Sequence, residues 1–115
     1  MKKATYADYL LNDVFSSLKG IKAKRMFGGY GLYQDGIIFG IIADDELYFK
    51  ADDRNRPEYE ARGSKPFTYE AKGNKRIALS YWQLSAEVME DRDLLAEWVK
   101  RAVAVSKSRG SSKHY

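Results

Sequence analysis

The chain has 115 residues, a formal net charge of +4 at pH 7 and no cysteine. This length is typical of one domain that folds without covalent cross-links, and the lack of cysteine excludes disulfides and thiolate chemistry. No apolar run approaches the ~20 residues that span a bilayer. Asp8, Asn12 and Asp13 interrupt the segment that would be apolar in a signal peptide, so we expect a cytoplasmic protein without a membrane segment.

The first predicted element is a helix over residues 5–20. Thr5 can cap its start, and Gly20 can end it. Between them, apolar side chains recur at helical spacing. These side chains are Leu10, Leu11, Val14, Phe15 and Leu18.

The pattern then changes to short strands. KAKRMF (22–27) and GLYQ (31–34) are two predicted strands, and Asp35-Gly36 after them is a strong hairpin signal. The isoleucine-rich run IIFGIIA (37–43) is apolar throughout, which indicates a central strand. We expect consecutive strands here to pair as antiparallel hairpins.

The second half continues in the same way. After a turn at Asp44-Asp45, LYFKA (47–51) alternates apolar and polar residues, with Leu47, Phe49 and Ala51 on one face. A short helix is predicted within residues 52–63, with an Asp or Asn as its cap. PFTYEAK (66–72), a Gly73-Asn74 turn and KRIALSYW (75–82) form another predicted hairpin, and Ser85 can cap a helical turn over residues 85–90.

A final helix is predicted over residues 91–107, where Trp98 lies in the longest apolar stripe of the chain. We expect that stripe to dock on the strands at 37–43 and 76–82. The sequence therefore predicts an α+β domain over residues 1–105, in which an antiparallel sheet of about five to six strands is packed in two layers with helices from both ends. Residues 106–115 are predicted to form a flexible basic tail.

The stretch GGYG raises the question of a phosphate-binding loop. Such loops precede a helix and use its N-terminal N–H groups, whereas a predicted strand follows Gly28, Gly29 and Gly31, and no glycine-lysine-serine or glycine-lysine-threonine run follows them. The alternative is a bend or a close backbone approach that needs glycine. We favour the second interpretation, which predicts no nucleotide binding and either a positive φ or no room for a Cβ.

Other catalytic patterns are weak. The one histidine, His114, lies next to the end of the chain, so a serine–histidine–aspartate triad and a cysteine–histidine zinc site have no support. Asp44-Asp45 and Asp52-Asp53 could bind a cation, but aspartates at turns and helix starts usually bond to the local backbone. We predict no enzyme activity, no metal and no cofactor, and keep an enzyme that uses carboxylates, lysine or tyrosine as a third hypothesis.

Basic and aromatic residues suggest nucleic acid as a second hypothesis. Most of the net charge lies in the predicted tail, which contains Lys107, Arg109 and Lys113 and no acidic residue. Aromatic rings beside cations can form platforms for single strands, although aromatics also favour strands in general. The candidate platforms are Tyr30, Tyr33 and Tyr48 with Lys24, Arg25 and Lys50, and Tyr69 with Lys72, Lys75 and Arg76.

Three stretches of the sequence are similar to the sequences of a known family. They are KRMFGGYGLYQDGIIFGIIADDELYFKAD from residue 24, GSKPFTYE from residue 63 and ALSYWQLSAEVMEDRDLLAEWVKRA from residue 78. Together they resemble the N-terminal domain of the TfoX/Sxy family from about residue 6 to 105. The family signature comprises Arg25, Met26, Phe27, Gly28, Gly29, Tyr30 and Gly31.

The resemblance implies an α+β fold and a bacterial regulator of natural competence that helps a cyclic-AMP receptor protein at promoters. Longer members carry a second domain, and no catalytic residues are implied. Our first hypothesis is therefore a non-enzymatic regulatory or protein-interaction domain, with protein partners that could include the transcription machinery, and with a homodimer as an alternative. Arg25 either forms a salt bridge that fixes a sheet corner or faces a ligand.

One observation separates the first two hypotheses. A contiguous basic face on the folded body favours nucleic acid, whereas a surface of mixed sign with an apolar patch favours a protein partner. Because the tail supplies most of the net charge, we predict that any nucleic-acid binding is weak, nonspecific and dependent on the tail.

Overall fold

The computed structural model describes residues 6–26, 29–71, 73 and 75–108. Within them lie the strands β1 (Ile21–Met26), β2 (Gly29–Gln34), β3 (Ile37–Ala43), β4 (Glu46–Lys50), β5 (Pro66–Ala71) and β6 (Lys75–Gln83). The helices are α1 (Tyr6–Tyr9), a π-helical turn π1 (Leu10–Val14), α2 (Arg56–Ala61), α3 (Ala86–Glu90) and α4 (Arg92–Ser108).

The strands form one antiparallel sheet in the order β1-β2-β3-β4-β6-β5. The helices pack on one face of it, which confirms the predicted two-layer α+β fold. The buried core residues of that face include Phe15, Leu32, Phe39, Phe49, Val88, Leu95, Trp98 and Val99. Because side chains alternate along a strand, the residues between the core positions face away from the helices.

The hairpin turns follow the local sequence signals. Asp35 and Gly36 have φ of 51° and 85°, and Asp44 and Asp45 have φ of 52° and 59°. Two successive positive φ angles give the turn type whose twist matches that of paired strands. The predicted turns at these positions are confirmed. Gly73 also has a positive φ, of 79°, whereas Asn74 and Lys72 lie outside the described residues.

The first helix is shorter than predicted. Helical structure ends at Val14 and turns follow to Gly20, so the predicted helix over 5–20 is wrong beyond Val14. At this end the Phe15 N–H bonds to the Leu10 carbonyl at 2.7 Å, and the Leu18 N–H bonds to the Phe15 carbonyl at 3.0 Å, which closes a turn instead of continuing the helix. The Phe15 ring packs against Phe39 and Phe49, with centroids 5.9 Å and 6.4 Å away, and Gly20, with φ of 76°, leads into β1. The predicted cap Thr5 lies outside the described residues.

Two predicted caps hold their positions without the expected bonds. Asn55 is at the N-cap of α2, but its side chain accepts a hydrogen bond from the Asp52 N–H at 2.8 Å and donates to the Lys50 carbonyl at 3.2 Å. It therefore fixes the loop after β4 instead of the helix. Ser85 is at the N-cap of α3 and makes no capping hydrogen bond.

The terminal helix α4 packs inward, as predicted for its apolar stripe. Trp98 is 3% exposed, and its ring centroid lies 4.5 Å from that of Tyr59 in α2. The helix lies across β3 and β4, so the strand at 37–43 is confirmed as a partner, and β4 is a further one. In the predicted partner at 76–82, Trp82 packs against the same core, whereas the side chains of residues 76–79 lie outside the described residues.

The end of α4 also corrects the predicted boundary of the tail. Residues 106–108 are helical. The Ser106 hydroxyl donates to the Ile38 carbonyl at 2.6 Å, and the Arg54 guanidinium donates to the Ser108 hydroxyl at 2.6 Å. These three residues therefore belong to the folded domain. Residues 109–115, with Arg109 and His114, lie outside the described residues.

Candidate nucleic-acid interface

The glycines of the family signature allow close approach of neighbouring groups. A Cβ at Gly29 would lie 2.1 Å from the carbonyl oxygen of Ile42, and a Cβ at Gly31 would lie 2.7 Å from the Met26 sulfur. Both glycines are in β2, and neither has a positive φ. The prediction that a glycine in GGYG leaves no room for a Cβ is confirmed at both. Phe27 and Gly28 lie outside the described residues.

Arg25 lies on the helix-covered side of the sheet edge. It pairs with Tyr30 across the β1–β2 ladder, and its guanidinium carbon is 6.0 Å from the centroid of the Tyr30 ring. Among the described residues, no carboxylate forms a salt bridge with Arg25. The predicted salt bridge is therefore absent there, and the exposed guanidinium rests on an aromatic ring.

The opposite face of the same two strands carries two lysines and a tyrosine. Lys22 pairs with Tyr33, and Lys24 pairs with Gly31. The Lys24 ammonium lies 5.5 Å from the centroid of the Tyr33 ring. The neighbouring pair of Ala23 and Leu32 faces the core, so Lys22, Lys24 and Tyr33 lie on the face away from the helices.

These residues line a cleft of about 610 Å³ at the edge of the sheet. Its walls are Gly20, Lys22, Ala23, Lys24, Tyr33, Asp35 and Gly36. A volume of this size is within the ~300–1,000 Å³ that is usual for binding sites of small molecules. The cleft is thus large enough for part of a ligand, and its lining contains two cations, Lys22 and Lys24, and one carboxylate, that of Asp35.

Basic side chains are concentrated in β1 and the turn before it. Four exposed cations, Lys19, Lys22, Lys24 and Arg25, lie within seven residues that contain no acid. No ion pair joins any of the four to a carboxylate in the part of the chain that the structure describes. We call these four residues the basic edge. Lys22 and Lys24 lie on the open face and Arg25 on the helix-covered face, so the basic edge carries cations on both sides of β1.

The first predicted aromatic platform is only partly assembled. Lys24 and Tyr33 meet on the open face, but Tyr30 packs against the core and belongs to the other face. Lys50 is 3% exposed, and its ammonium lies over the Tyr81 ring at 4.8 Å from the centroid. Tyr30 and Lys50 are therefore not available to a strand on the open face, because each side chain is packed within the fold.

Tyr48 is on the open face but in different surroundings. Its ring packs edge-on against Phe67, with centroids 5.1 Å apart. Burial raises the pKa of the Tyr48 hydroxyl, and the nearby carboxylates of Glu46 and Asp44 raise it further. A negatively charged neighbourhood repels phosphate, so Tyr48 does not extend the basic edge.

The remaining predicted contacts have different outcomes. The side chains of Tyr69, Lys75 and Arg76 and all of Lys72 lie outside the described residues, as does Arg109. Lys107 is exposed at the end of α4. It follows Ser106, which bonds to Ile38, and Ile38 pairs with Tyr33. The last turn of α4 is thus at the same end of the sheet as the cleft.

The sequence patterns described above do not point to Lys19 and Lys22. The available signal was the alternation in KAKR, which puts Lys22 and Lys24 on one face of a strand. The sequence did not show that β1 would be the edge strand. The acidic pairs behave as predicted for turns and loops: Asp44-Asp45 forms a turn, Asp52 accepts a hydrogen bond from the Arg54 N–H, and Asp53 pairs with Arg56.

A comparison with family models matches the TfoX N-terminal domain over residues 13–106. The chain belongs to the TfoX N-terminal domain family. The match includes the basic edge, the cleft and nearly all of α4, so these features lie within the TfoX domain. No curated protein matches the chain. None of the helices in the described part of this TfoX domain has the length and apolar character that a membrane crossing requires.

Proposed function

We propose that this chain is a non-catalytic regulatory domain that binds nucleic acid through its basic edge. The observation that carries the proposal is the run of four exposed cations on β1 and the turn before it, none of which pairs with a carboxylate in the described ranges. Cations without internal partners remain available to phosphates, and contacts of this kind supply most nonspecific affinity for nucleic acid.

The alternative of a protein partner has less support. Among the described residues, Tyr9, at 48%, is the exposed large hydrophobic side chain. A docking surface for another protein or for a second copy usually has an apolar centre, and one exposed tyrosine does not provide it. A partner from the transcription machinery would therefore contact mainly polar surface, and we treat it as the second candidate.

The biological role that we propose is regulation of transcription in the bacterial cytoplasm, including natural competence. This role is supported by membership of the TfoX N-terminal domain family and by the lack of cysteine, which fits a reducing compartment. Binding to nucleic acid and a contact with a regulator at a promoter are compatible, because phosphate contacts position a protein on DNA without reading its sequence.

The test is fluorescence anisotropy with labelled single-stranded and duplex oligonucleotides over a range of salt concentrations. We expect Lys22→Glu/Lys24→Glu to weaken binding by more than about tenfold at low salt and to flatten the salt dependence. The matched control is Lys65→Glu/Lys100→Glu, which changes the net charge equally at two other exposed lysines. Equal losses in the two double variants, or no binding by the unaltered protein at low salt, would refute the proposal.

A truncation separates the domain from its tail. The cut belongs after Ser108, since residues 106–108 are part of α4. The 1–108 chain should keep measurable binding with a smaller salt slope, because the basic edge remains while Arg109 and Lys113 are lost. Complete loss of binding would assign the affinity to the tail alone.

A further inference from the structure

The cleft at the basic edge has the parts of a site for one nucleotide of a single strand. We propose that an unpaired base stacks on the Tyr33 ring while the phosphates beside it contact Lys22 and Lys24. This inference rests on the proposed function, and it adds the form of nucleic acid that is bound and the residue that holds the base.

The Tyr33 ring is placed for stacking by the glycine beside it. A Cβ at Gly31 would lie 3.1 Å from the Tyr33 Cε1 atom and 3.3 Å from its hydroxyl oxygen. The edge of the Tyr33 ring therefore occupies space above Gly31 that the side chain of another residue would fill. One flat side of the ring carries the ammonium of the exposed Lys24, and accessible aromatic faces stack on bases of any sequence.

The Lys24 ammonium lies over this flat side, 5.5 Å from the centroid of the Tyr33 ring. The attraction of a cation to an exposed aromatic ring is weak, and a phosphate is a stronger partner for an ammonium. A bound nucleotide can therefore draw Lys24 from the ring to its phosphate and leave the ring to the base.

The single acid of the cleft gives the nucleotide a direction. Asp35 lies at the Gly20 end of the cleft, where its N–H donates to the Gly20 carbonyl at 3.0 Å. Its carboxylate repels phosphate but can accept hydrogen bonds from the amino group of a base. The base edge then points to Asp35, and the phosphates point to Lys22 and Lys24. In a duplex the flat sides of the bases are covered by their neighbours, so this arrangement requires a single strand.

The decisive probe is a single-stranded DNA oligonucleotide compared with an abasic strand of the same length and charge. The phosphates are identical, so only stacking and contacts to the base distinguish the two. We expect the abasic strand to bind at least about fivefold more weakly, which is the lower end of the effect of one stacked base. A duplex of equal length should also bind less tightly than the intact strand.

Variants locate the effect on one ring. Tyr33→Leu should remove the preference for the intact strand and leave the abasic affinity unchanged, whereas Tyr33→Phe should keep the preference. Tyr48→Leu is the matched control, because Tyr48 is on the same face but beside acidic residues. Thermal melting checks that each variant is folded, and the comparison of strands on the unaltered protein does not depend on any variant.

The outcomes distinguish the two proposals. If no oligonucleotide binds at low salt, the proposed function fails and this inference fails with it. If intact, abasic and duplex forms bind equally well, the basic edge binds phosphate alone and the stacking site is refuted. Loss of preference in Tyr48→Leu but not in Tyr33→Leu would also refute the assignment to Tyr33.

Discussion

The helical side of the domain and the basic edge use cationic side chains in opposite ways. Around α2 and α4, Arg101 pairs with Glu58 and Glu97, Arg62 pairs with Glu87 at 3.2 Å, and both arginines connect different elements. At the basic edge, the described cations contact tyrosine rings or solvent. Charges of the first region are thus paired within the chain, whereas no carboxylate in the described ranges pairs with those of the second. Substitutions should accordingly cost stability in the first region and binding in the second.

The largest loss of stability is expected for Trp98→Ala on the helical side. Removing this buried ring should cost about 3–5 kcal/mol, a large part of the ~5–15 kcal/mol that stabilises a typical domain. Trp98→Phe is the control and should lose less, because it keeps a ring against Tyr59. Urea denaturation measures both. An unchanged melting temperature in Trp98→Ala, with loss of a bound partner, would show that the tryptophan acts at an interface instead.

Gly29→Ala tests whether a residue next to the basic edge can contribute to the stability of the fold instead of to binding. The new Cβ would meet the Ile42 carbonyl oxygen, which belongs to the backbone and cannot move aside easily. We expect a loss of about 1–3 kcal/mol, as for other overpacked sites. Gly36→Asn is the control, because nothing lies within 4 Å of its added Cβ and Asn tolerates a positive φ. Equal stability of Gly29→Ala and the parent would contradict the close approach.

Arg101→Ala and Lys24→Ala compare a paired cation with an unpaired one directly. Arg101 bridges α4 and α2, but its side chain is 41% exposed, so solvent screens the pair. Its removal should cost about 0.5–1 kcal/mol at low salt, and less at high salt. Lys24→Ala should leave stability unchanged and weaken nucleic-acid binding. A greater loss of stability in Lys24→Ala than in Arg101→Ala would reverse the comparison.

Tyr59→Phe should have the smallest effect at neutral pH. The Tyr59 hydroxyl is buried without a hydrogen-bond partner in the described structure, so its removal leaves no group unsatisfied. Burial raises the pKa of this hydroxyl above its usual value of 10.0. The stability that comes from a neutral Tyr59 is therefore complete below pH 10 and declines above it. Denaturation curves from pH 7 to 11 should show a decline in the parent that is smaller in Tyr59→Phe, and parallel declines would contradict this.

Local signals in the sequence predicted more of the fold than of the site. The hairpin at Asp35-Gly36 was predictable because two adjacent residues determine the backbone angles of that turn. The end of the first helix at Val14 was not, because the apolar spacing continues to Leu18 while the segment after Val14 packs as turns against distant residues such as Phe39 and Phe49. Contacts of that kind override helix propensity.

The candidate site shows the same limit. The sequence predicts Lys24 and Tyr33 as members of one aromatic platform. They lie on the same face because β1 pairs with β2 in the observed register. The alternation of side chains could have placed Tyr30 and Tyr33 on opposite faces, because they are three positions apart in one strand. Burial of Lys50 beside Tyr81 could not be foreseen, as it depends on the pairing of β4 with β6.

The position of β1 at the edge of the sheet has a consequence for solubility. The outer side of an edge strand exposes unpaired N–H and C=O groups, which can join another chain and start aggregation, and lysines on such a strand oppose this. Lys22, Lys24 and Arg25 lie on that strand. Neutral replacements at all three would therefore leave the edge open to pairing with another chain. Replacement by glutamate keeps the strand charged and should preserve solubility at high concentration.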